Sequence, residues 1–326
     1  MTTAAPERST EVSAPASAFY VHGIAFEARD VLVFDLRPAG GRVAAFEPGA
    51  HIDVELPNGI ARQYSLVNEP NVRDRYLICV KNDPNGRGGS RFMHEQLRVG
   101  TKIDVGAVRN NFPLAANARA TLLIAGGIGV TPIVPMAEHL AIEGRPAEVV
   151  YAVKSRADLA FLGRLETAAS RLTVHVDEEA GTFLDVSAVV AAASNGTHLY
   201  CCGPAPMLDA FLAATAEHPA DYVHLERFAA AAPPILAGGA FRVELARSGC
   251  VLTIAENESI LAALRTAGIS AASSCEEGIC GTCEVRVLSG IPDHRDAILS
   301  DAERQANRSM MICCSRSIGE HLVLDL

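Results

Sequence analysis

The chain has 326 residues, 49% of them hydrophobic and 20% charged, and its 38 acidic against 28 basic side chains leave a formal net charge of -10. That length exceeds what one hydrophobic core usually spans and predicts two or three domains that need no disulfide staples. The acidic balance argues against nucleic acid as a partner.

Residues 1–18, MTTAAPERSTEVSAPASA, are small and polar without an apolar stretch of signal-peptide type, and they read as a flexible tail on a cytoplasmic protein. From Phe19 to Ala115, short apolar runs alternate with Gly, Pro and Asn turns, as in RVAAFEPGAHIDVEL and GTKIDVGAV. This predicts an antiparallel barrel or sandwich. Within it, RQYSL places Arg62, which can pair with a phosphate, beside Tyr64, which can pack on a planar ligand, and Ser65, which can hydrogen-bond that ligand's edge. The loop GRGGS, with Gly88, Gly89 and Ser90, precedes a helical RFMHEQL, so its N–H groups are placed to hold a phosphate.

Over 116–228 the pattern changes to strand then helix: TLLIA, a helix near 133–143, AEVVYAV, a helix near 158–169, LTVHV, a helix near 185–193, HLYCCG, and a helix after Pro206. Such alternation predicts a parallel sheet with crossover helices. Residues 120–137 carry no charge, but their prolines and glycines make them a strand, a turn and a helix start, not a membrane span. Gly126, Gly127, Gly129 and Thr131 occupy that turn, where glycines let a pyrophosphate approach the backbone and the helix N-terminus favours negative charge. The turn departs from G-x-G-x-x-G. A second turn, Cys202, Gly203 and Pro204, follows HLYCC and can sit beside a nicotinamide, with Cys201 expected to be buried. Ser155 and Arg156 follow the second strand, where an Arg can accept a 2′-phosphate. Residues 229–239 form a Pro/Gly/Ala bridge that reads as an interdomain linker. Beyond it come a hairpin and an amphipathic helix.

The nine cysteines are an odd number and cluster: Cys275, Cys280 and Cys283 lie close together, and Cys201-Cys202 and Cys313-Cys314 are doublets. Clustering of this kind suits ligands or redox chemistry better than a disulfide framework. Cys275, Cys280, Cys283 and Cys313 are separated by four, two and twenty-nine residues, the C-x4-C-x2-C...C spacing of plant-type 2Fe-2S sites. Soft thiolates hold iron, and Gly278 and Gly281 allow backbone N–H groups to turn toward sulfur. Structural zinc would favour paired C-x2-C units.

From Phe241 to the end the chain resembles a plant-type ferredoxin, including CGTCEVRVLSG and ILSDAE. The two glycine turns and RQYS resemble the ferredoxin-NADP reductase superfamily. Their order over residues 19–326 resembles the phthalate dioxygenase reductase type, which includes the reductase components of vanillate O-demethylases. The resemblance implies an FMN-binding antiparallel β-barrel over 19–115, an NAD-binding α/β domain over 116–228 and an α+β, β-grasp 2Fe-2S domain over 240–326. It implies FMN contacts from Arg62, Tyr64, Ser65, Lys81, Gly88, Gly89, Ser90 and Phe228, the last against the flavin ring. NADH contacts would come from Gly126, Gly127, Gly129, Thr131, Ser155, Arg156, Cys202, Gly203 and Pro204, with Ser65, Cys202 and Phe228 nearest the reacting ring. Cys275, Cys280, Cys283 and Cys313 would hold the cluster, with Cys314 outside it. The implied partner is a Rieske-type non-haem iron oxygenase for aromatic hydroxylation or O-demethylation. Two other readings stay open: a reductase for another one-electron acceptor such as a ferredoxin or cytochrome, and a zinc-structured nucleotide-sensing binding protein.

Overall fold

The computed structural model describes residues 17–228 and 236–326, so most of the expected tail and the first part of the expected linker lie outside the described residues. The first sheet comprises β1 (Ser17–Ala28), β2 (Val31–Pro38), β3 (His51–Glu55), β4 (Ala61–Ser65), β5 (Tyr76–Lys81) and β6 (Lys102–Val105), with α1 (Gly89–Glu95) between β5 and β6. Its order is β4-β3-β6-β1-β2-β5. Every pairing is antiparallel, and the bridge between Leu66 and Ile78 brings the two edges together. Closure makes this a barrel with a core of Val21, Phe34, Leu36, Ile52, Ile78 and neighbours, so no long sheet edge is left to pair with another chain.

The second region runs β7 (Thr121–Gly126), α2 (Val130–Ile142), β8 (Ala147–Val153), α3 (Leu162–Ala168), β9 (Arg171–Val176), α4 (Asp177–Ala180), α5 (Val186–Ala191), β10 (His198–Cys202), α6 (Ala205–Ala214) and β11 (Val223–Glu226). The sheet is parallel, ordered β11-β10-β7-β8-β9. All six residues of β7 are buried because the sheet is covered on both faces, which is why TLLIAG reads as an unbroken apolar run. The chain moves outward from β7 through β8 and β9, then returns to the other side as β10 and β11. The order therefore reverses between β7 and β10, and the turns 126–129 and 202–204 lie at that switch point, where open α/β sheets bind ligands. The helix expected near 158–169 starts only at Leu162. Ser155 and Asp158 close a capping box on a 3₁₀ turn first, and Phe161 is left-handed at φ 57°.

The third region contains β12 (Phe241–Leu245), β13 (Cys250–Ile254), α7 (Ile260–Thr266), β14 (Glu284–Ser289), β15 (Pro292–Asp293), α8 (Asp301–Ala306), β16 (Ser309–Met311), β17 (Arg316–Ser317) and β18 (His321–Leu324). Its main sheet is ordered β13-β12-β18-β14-β16, with β12 and β18 parallel in the middle, as a β-grasp requires. Ser259 caps α7 by accepting the Ala262 N–H at 3.1 Å, and Ile260, Leu261, Ala263 and Leu264 pack that helix onto the sheet. Arg316 is 1% exposed. Its guanidinium donates to the carbonyls of Gly239 at 2.8 Å and Ala255 at 3.2 Å, and also to those of Gly238 and Glu258. It also lies 5.0 Å from the centre of the Phe241 ring.

The barrel and the parallel sheet are bolted together. Arg29 pairs with Asp158 at 2.9 Å, the Phe161 N–H donates to Glu27 at 2.7 Å, and Arg164 donates to the Val67 carbonyl at 2.6 Å. Ala28, Val31, Val67 and Cys79 of the barrel share a core with α2 and β8. No helix among the described residues is long and apolar enough to cross a membrane.

Candidate functional site

One open cleft, about 990 Å³ including its mouth, is lined from three directions. The barrel contributes His51, Arg62, Gln63, Tyr64, Ser65, Arg87 and Asn111. The end of β11 contributes Leu225 to Phe228, and the third region contributes Cys275, Glu277, Ile279, Ala297 and Ile298.

On the barrel side, β4 carries Arg62, Gln63, Tyr64 and Ser65 in register against β3. Arg62 donates to the Ala61 and Arg87 carbonyls at 2.7 and 3.2 Å and lies against the loop before α1. A Cβ on Gly89 would come within 2.7 Å of Arg62 Cγ, so this glycine permits the approach. Gly88 is left-handed at φ 84°. Burial pushes the Tyr64 hydroxyl well up from its ordinary value. Ser90 faces its own loop, its hydroxyl accepting the Asp83 N–H at 3.0 Å. Lys81 is exposed at the end of β5, outside the residues that line the cleft.

The cleft wall holds buried polar atoms without a partner: both ring nitrogens of His51, Ser65 Oγ, Glu226 Oε2 and Arg227 Nη1. Glu226 faces Ser65 without a hydrogen bond of ordinary geometry, and burial pushes its carboxyl up to about 8. Burial, followed by the Arg109 charge, holds His51 down at about 4. Unsatisfied buried groups are costly, so a wall of donors and acceptors fits a planar, polar ligand such as a flavin. Phe228 is 45% exposed and stands at the cleft, not in a core. Glu226, His51 and Arg227 were not found from the sequence, where HLERF offers no sign that its carboxylate is buried.

At the switch point the glycines have different reasons. A Cβ on Gly129 would lie 2.2 Å from the Cys202 carbonyl oxygen, and one on Gly203 or Gly126 would strike Met207 Sδ at 2.6 and 2.7 Å. These three let the two turns pack on each other. Gly127, at φ 54°, faces open space and is the position of the turn free to receive a ligand. Thr131 is buried, its hydroxyl donating to the Ile128 carbonyl at 3.0 Å, and Pro204 caps α6. Cys202 is buried as completely as Cys201. Burial and then the Glu226 charge hold its thiol well up, and its side chain packs in the core at the end of β10. Ser155 accepts from Arg29 at 2.9 Å and donates to Asp158 at 3.1 Å. Arg156 is paired with both carboxylate oxygens of Glu179 at 2.5 and 2.8 Å. The Arg156 guanidinium therefore already has a carboxylate partner, on the exposed surface.

The loop Ser273 to Val285 brings Cys275, Cys280 and Cys283 to Cys313, none of them more than 8% exposed. Cys275 lies near enough to Cys280 and Cys313, and Cys283 to Cys313, for these neighbours to perturb the ionisation of the Cys275 and Cys283 thiols. Gly278 and Gly281 are left-handed at φ 73° and 77°, and the loop aims the Glu277 N–H at Cys275 Sγ at 3.3 Å. Among the described residues no three His, Cys, Asp or Glu side chains close on a single-ion position. Four buried sulfurs, with the Glu277 and Thr282 N–H groups aimed at two of them, suit a soft inorganic group.

Residues 243–317 match the 2Fe-2S iron-sulfur cluster binding domain, and residues 101–223 match the N-terminal domain of dimethylamine monooxygenase subunit DmmA-like proteins. The chain is similar to phenoxybenzoate dioxygenase subunit beta of Ectopseudomonas oleovorans, with 49% identity over 94% of this chain and 96% of that one. It is 45% identical to vanillate O-demethylase oxidoreductase of Pseudomonas putida over 92% of this chain and 96% of that one. Among solved structures, phthalate dioxygenase reductase aligns with a TM-score of 0.71 and 37% identity, covering 95% of this chain and 98% of that one. An intact type IV self-sufficient cytochrome P450 monooxygenase aligns with a TM-score of 0.86 and 39% identity over 95% of this chain, which spans 41% of that protein.

Proposed function

We propose, from the premise that this chain belongs to the phthalate dioxygenase reductase family of oxygenase-system reductases, that it carries electrons from NADH through FMN and its 2Fe-2S cluster to a Rieske-type oxygenase. The observation that carries the reading is the shared cleft: Tyr64 and Ser65, Glu226 and Phe228, and Cys275 face one space from three domains. A bound flavin supplies the exchange between a two-electron hydride donor and a one-electron acceptor.

The residues have separable tasks. Arg62 and the loop through Gly88 and Gly89 hold a phosphate. That loop offers phosphate donors and no aromatic shelf for an adenine, which supports FMN over FAD. Ser65 Oγ and the Glu226 carboxyl, neutral at pH 7 with its value near 8, hold a proton at the cleft wall. Phe228 covers the mouth and keeps water from the ring plane. Cys275, Cys280, Cys283 and Cys313 bind the cluster, and Cys314 packs in the core behind it. Domain limits of 19–115, 116–228 and 240–326 and a reducing, cytoplasmic setting accord with three separate sheets and nine free cysteines.

NADH is preferred because Glu179 occupies Arg156. Glu179→Ala should raise kcat/KM for NADPH relative to NADH by about tenfold, the worth of one charge-assisted hydrogen bond. An unchanged ratio in steady-state assays counts against that assignment.

The likeness to the P450 monooxygenase favours a second reading, in which the acceptor is a haem protein. Anaerobic NADH titration followed in the visible, then rapid mixing with candidate Rieske and haem acceptors, separates the two. Fastest transfer to a Rieske centre supports the first reading. Transfer confined to haem supports the second, and a colourless, zinc-containing protein sinks both.

A further inference from the structure

Thr282 stands between the barrel and the sulfur of Cys280. Its Oγ1 lies 3.2 Å from Cys280 Sγ and accepts hydrogen bonds from Arg109 Nη2 at 3.0 Å and Gln63 Nε2 at 3.3 Å. Both donors are fixed from behind by Asp53, through Arg109 Nη2 to Oδ2 at 2.5 Å and Gln63 Nε2 to Oδ1 at 3.0 Å. Because a carboxylate only accepts, the second contact also settles which end of the Gln63 amide carries hydrogen. The Arg109 backbone is pinned by paired bonds to His51 at 2.8 and 3.0 Å, and Asn111 Nδ2 donates to the Cys280 carbonyl at 3.3 Å.

A threonine hydroxyl can accept two hydrogen bonds and donate one. Arginine and the amide nitrogen have no lone pair to offer, so both acceptor positions of Thr282 are filled from the barrel. Its single proton has one remaining partner within reach, the Cys280 sulfur, which as an iron-bound thiolate has no proton of its own. Reduction of an iron–sulfur cluster adds negative charge, and hydrogen bonds to the sulfurs favour the reduced form.

We propose that the barrel sets the reduction potential of the cluster, with Gln63 and Arg109 directing the Thr282 hydroxyl proton onto the Cys280 sulfur. The proposal rests on the reading of Cys280 as a cluster ligand. Docking of the C-terminal domain then has an electrochemical consequence: the cluster is easier to reduce when seated against the barrel than when the two surfaces part. Gln63 and Arg109 are positioning residues in this arrangement.

The test is a redox titration of the full-length protein, with the reduced cluster read by electron paramagnetic resonance and iron content measured in parallel. Thr282→Val should lower the potential by a tenfold change in the one-electron equilibrium, about 59 mV. Thr282→Ser should restore it. Gln63→Leu, which changes no charge, should lower it by a smaller step, and should add nothing when Thr282 is already Val. An unchanged potential in an iron-replete Thr282→Val protein overturns the proposal, as does a Gln63→Leu shift that persists in full without the hydroxyl. If Thr282→Val does not hold iron, Gln63→Leu decides alone, and an unchanged potential there overturns it. A normal cluster in Cys280→Ser would instead sink the ligand reading, a result distinguishable from all of these.

Discussion

In the loop from Ser273 to Val285, Gly278 and Gly281 turn the chain at φ 73° and 77°, whereas Gly126 and Gly129 of the nucleotide turn have φ of -122° and -62°. The first pair is glycine because the backbone is left-handed there, which lets the neighbouring Glu277 and Thr282 N–H groups face sulfur. The second pair is glycine because a neighbour occupies the place of a Cβ: Met207 and Pro204 at 2.7 Å for Gly126, the Cys202 carbonyl at 2.2 Å for Gly129. The cluster loop is thus specified by conformation at both glycines, with contact added at Gly278, where a Cβ would lie 2.6 Å from Cys314 Sγ, and the nucleotide pair by contact alone. Two glycine-rich stretches that look alike in a sequence should fail in different ways.

The largest effect expected is in the cluster loop's fourth cysteine. Cys313→Ser should lose the cluster outright, while Cys314→Ala should keep it, because on the turn 312–314 it is Cys313 that neighbours both Cys275 and Cys283. Iron content and electron paramagnetic resonance of the two anaerobically purified proteins check this, and a cluster missing only from the second would place the register one residue later. Next comes the contact-limited turn. Gly129→Ala should cost about 1–3 kcal/mol in urea unfolding, as overpacking does, and raise KM for NADH by displacing the Cys202 turn. Gly127→Ala, in open space but at φ 54°, should cost about 1 kcal/mol of backbone strain alone. Equal losses would erase the distinction between contact and conformation.

A pH-dependent effect lies in the cleft between the two loops. Glu226 has its carboxyl raised from 4.5 to about 8, so the folded protein keeps a proton that the unfolded chain releases between those values. Stability from this group is therefore full below pH 4.5 and declines as pH rises toward 8. Glu226→Gln has no such slope, and its melting temperature should gain on that of the parent protein across that window. A constant difference between the two melting curves would mean that Glu226 is ionised when buried.

The order of the three domains was legible because each carries a local signal: alternation in the barrel, strand and helix in the middle, cysteine spacing at the end. Ser65, Tyr64 and Phe228 were legible as a set for the same reason, each lying in a short motif. What escaped was whatever depends on a partner far away in sequence. Gln63 and Arg109 meet Thr282 across 219 and 173 positions, and no local pattern in RQYSL or CGTCEV announces that meeting. Arg156 was read as a free cation because Glu179 lies 23 residues on. Cys202 was read beside the nicotinamide because it ends a strand at a turn, and the burial of β10 on both faces was not visible in that turn.

Arg316 ties the start of the C-terminal domain to the segment that carries Cys313. It grips the carbonyls of Gly238 and Gly239, where the chain enters the domain, from a position just past the cysteine pair. In mechanical terms the domain hangs from its tether at its redox end. Any pull along the connecting chain therefore reaches, through Arg316, the segment that carries Cys313 as well as β12.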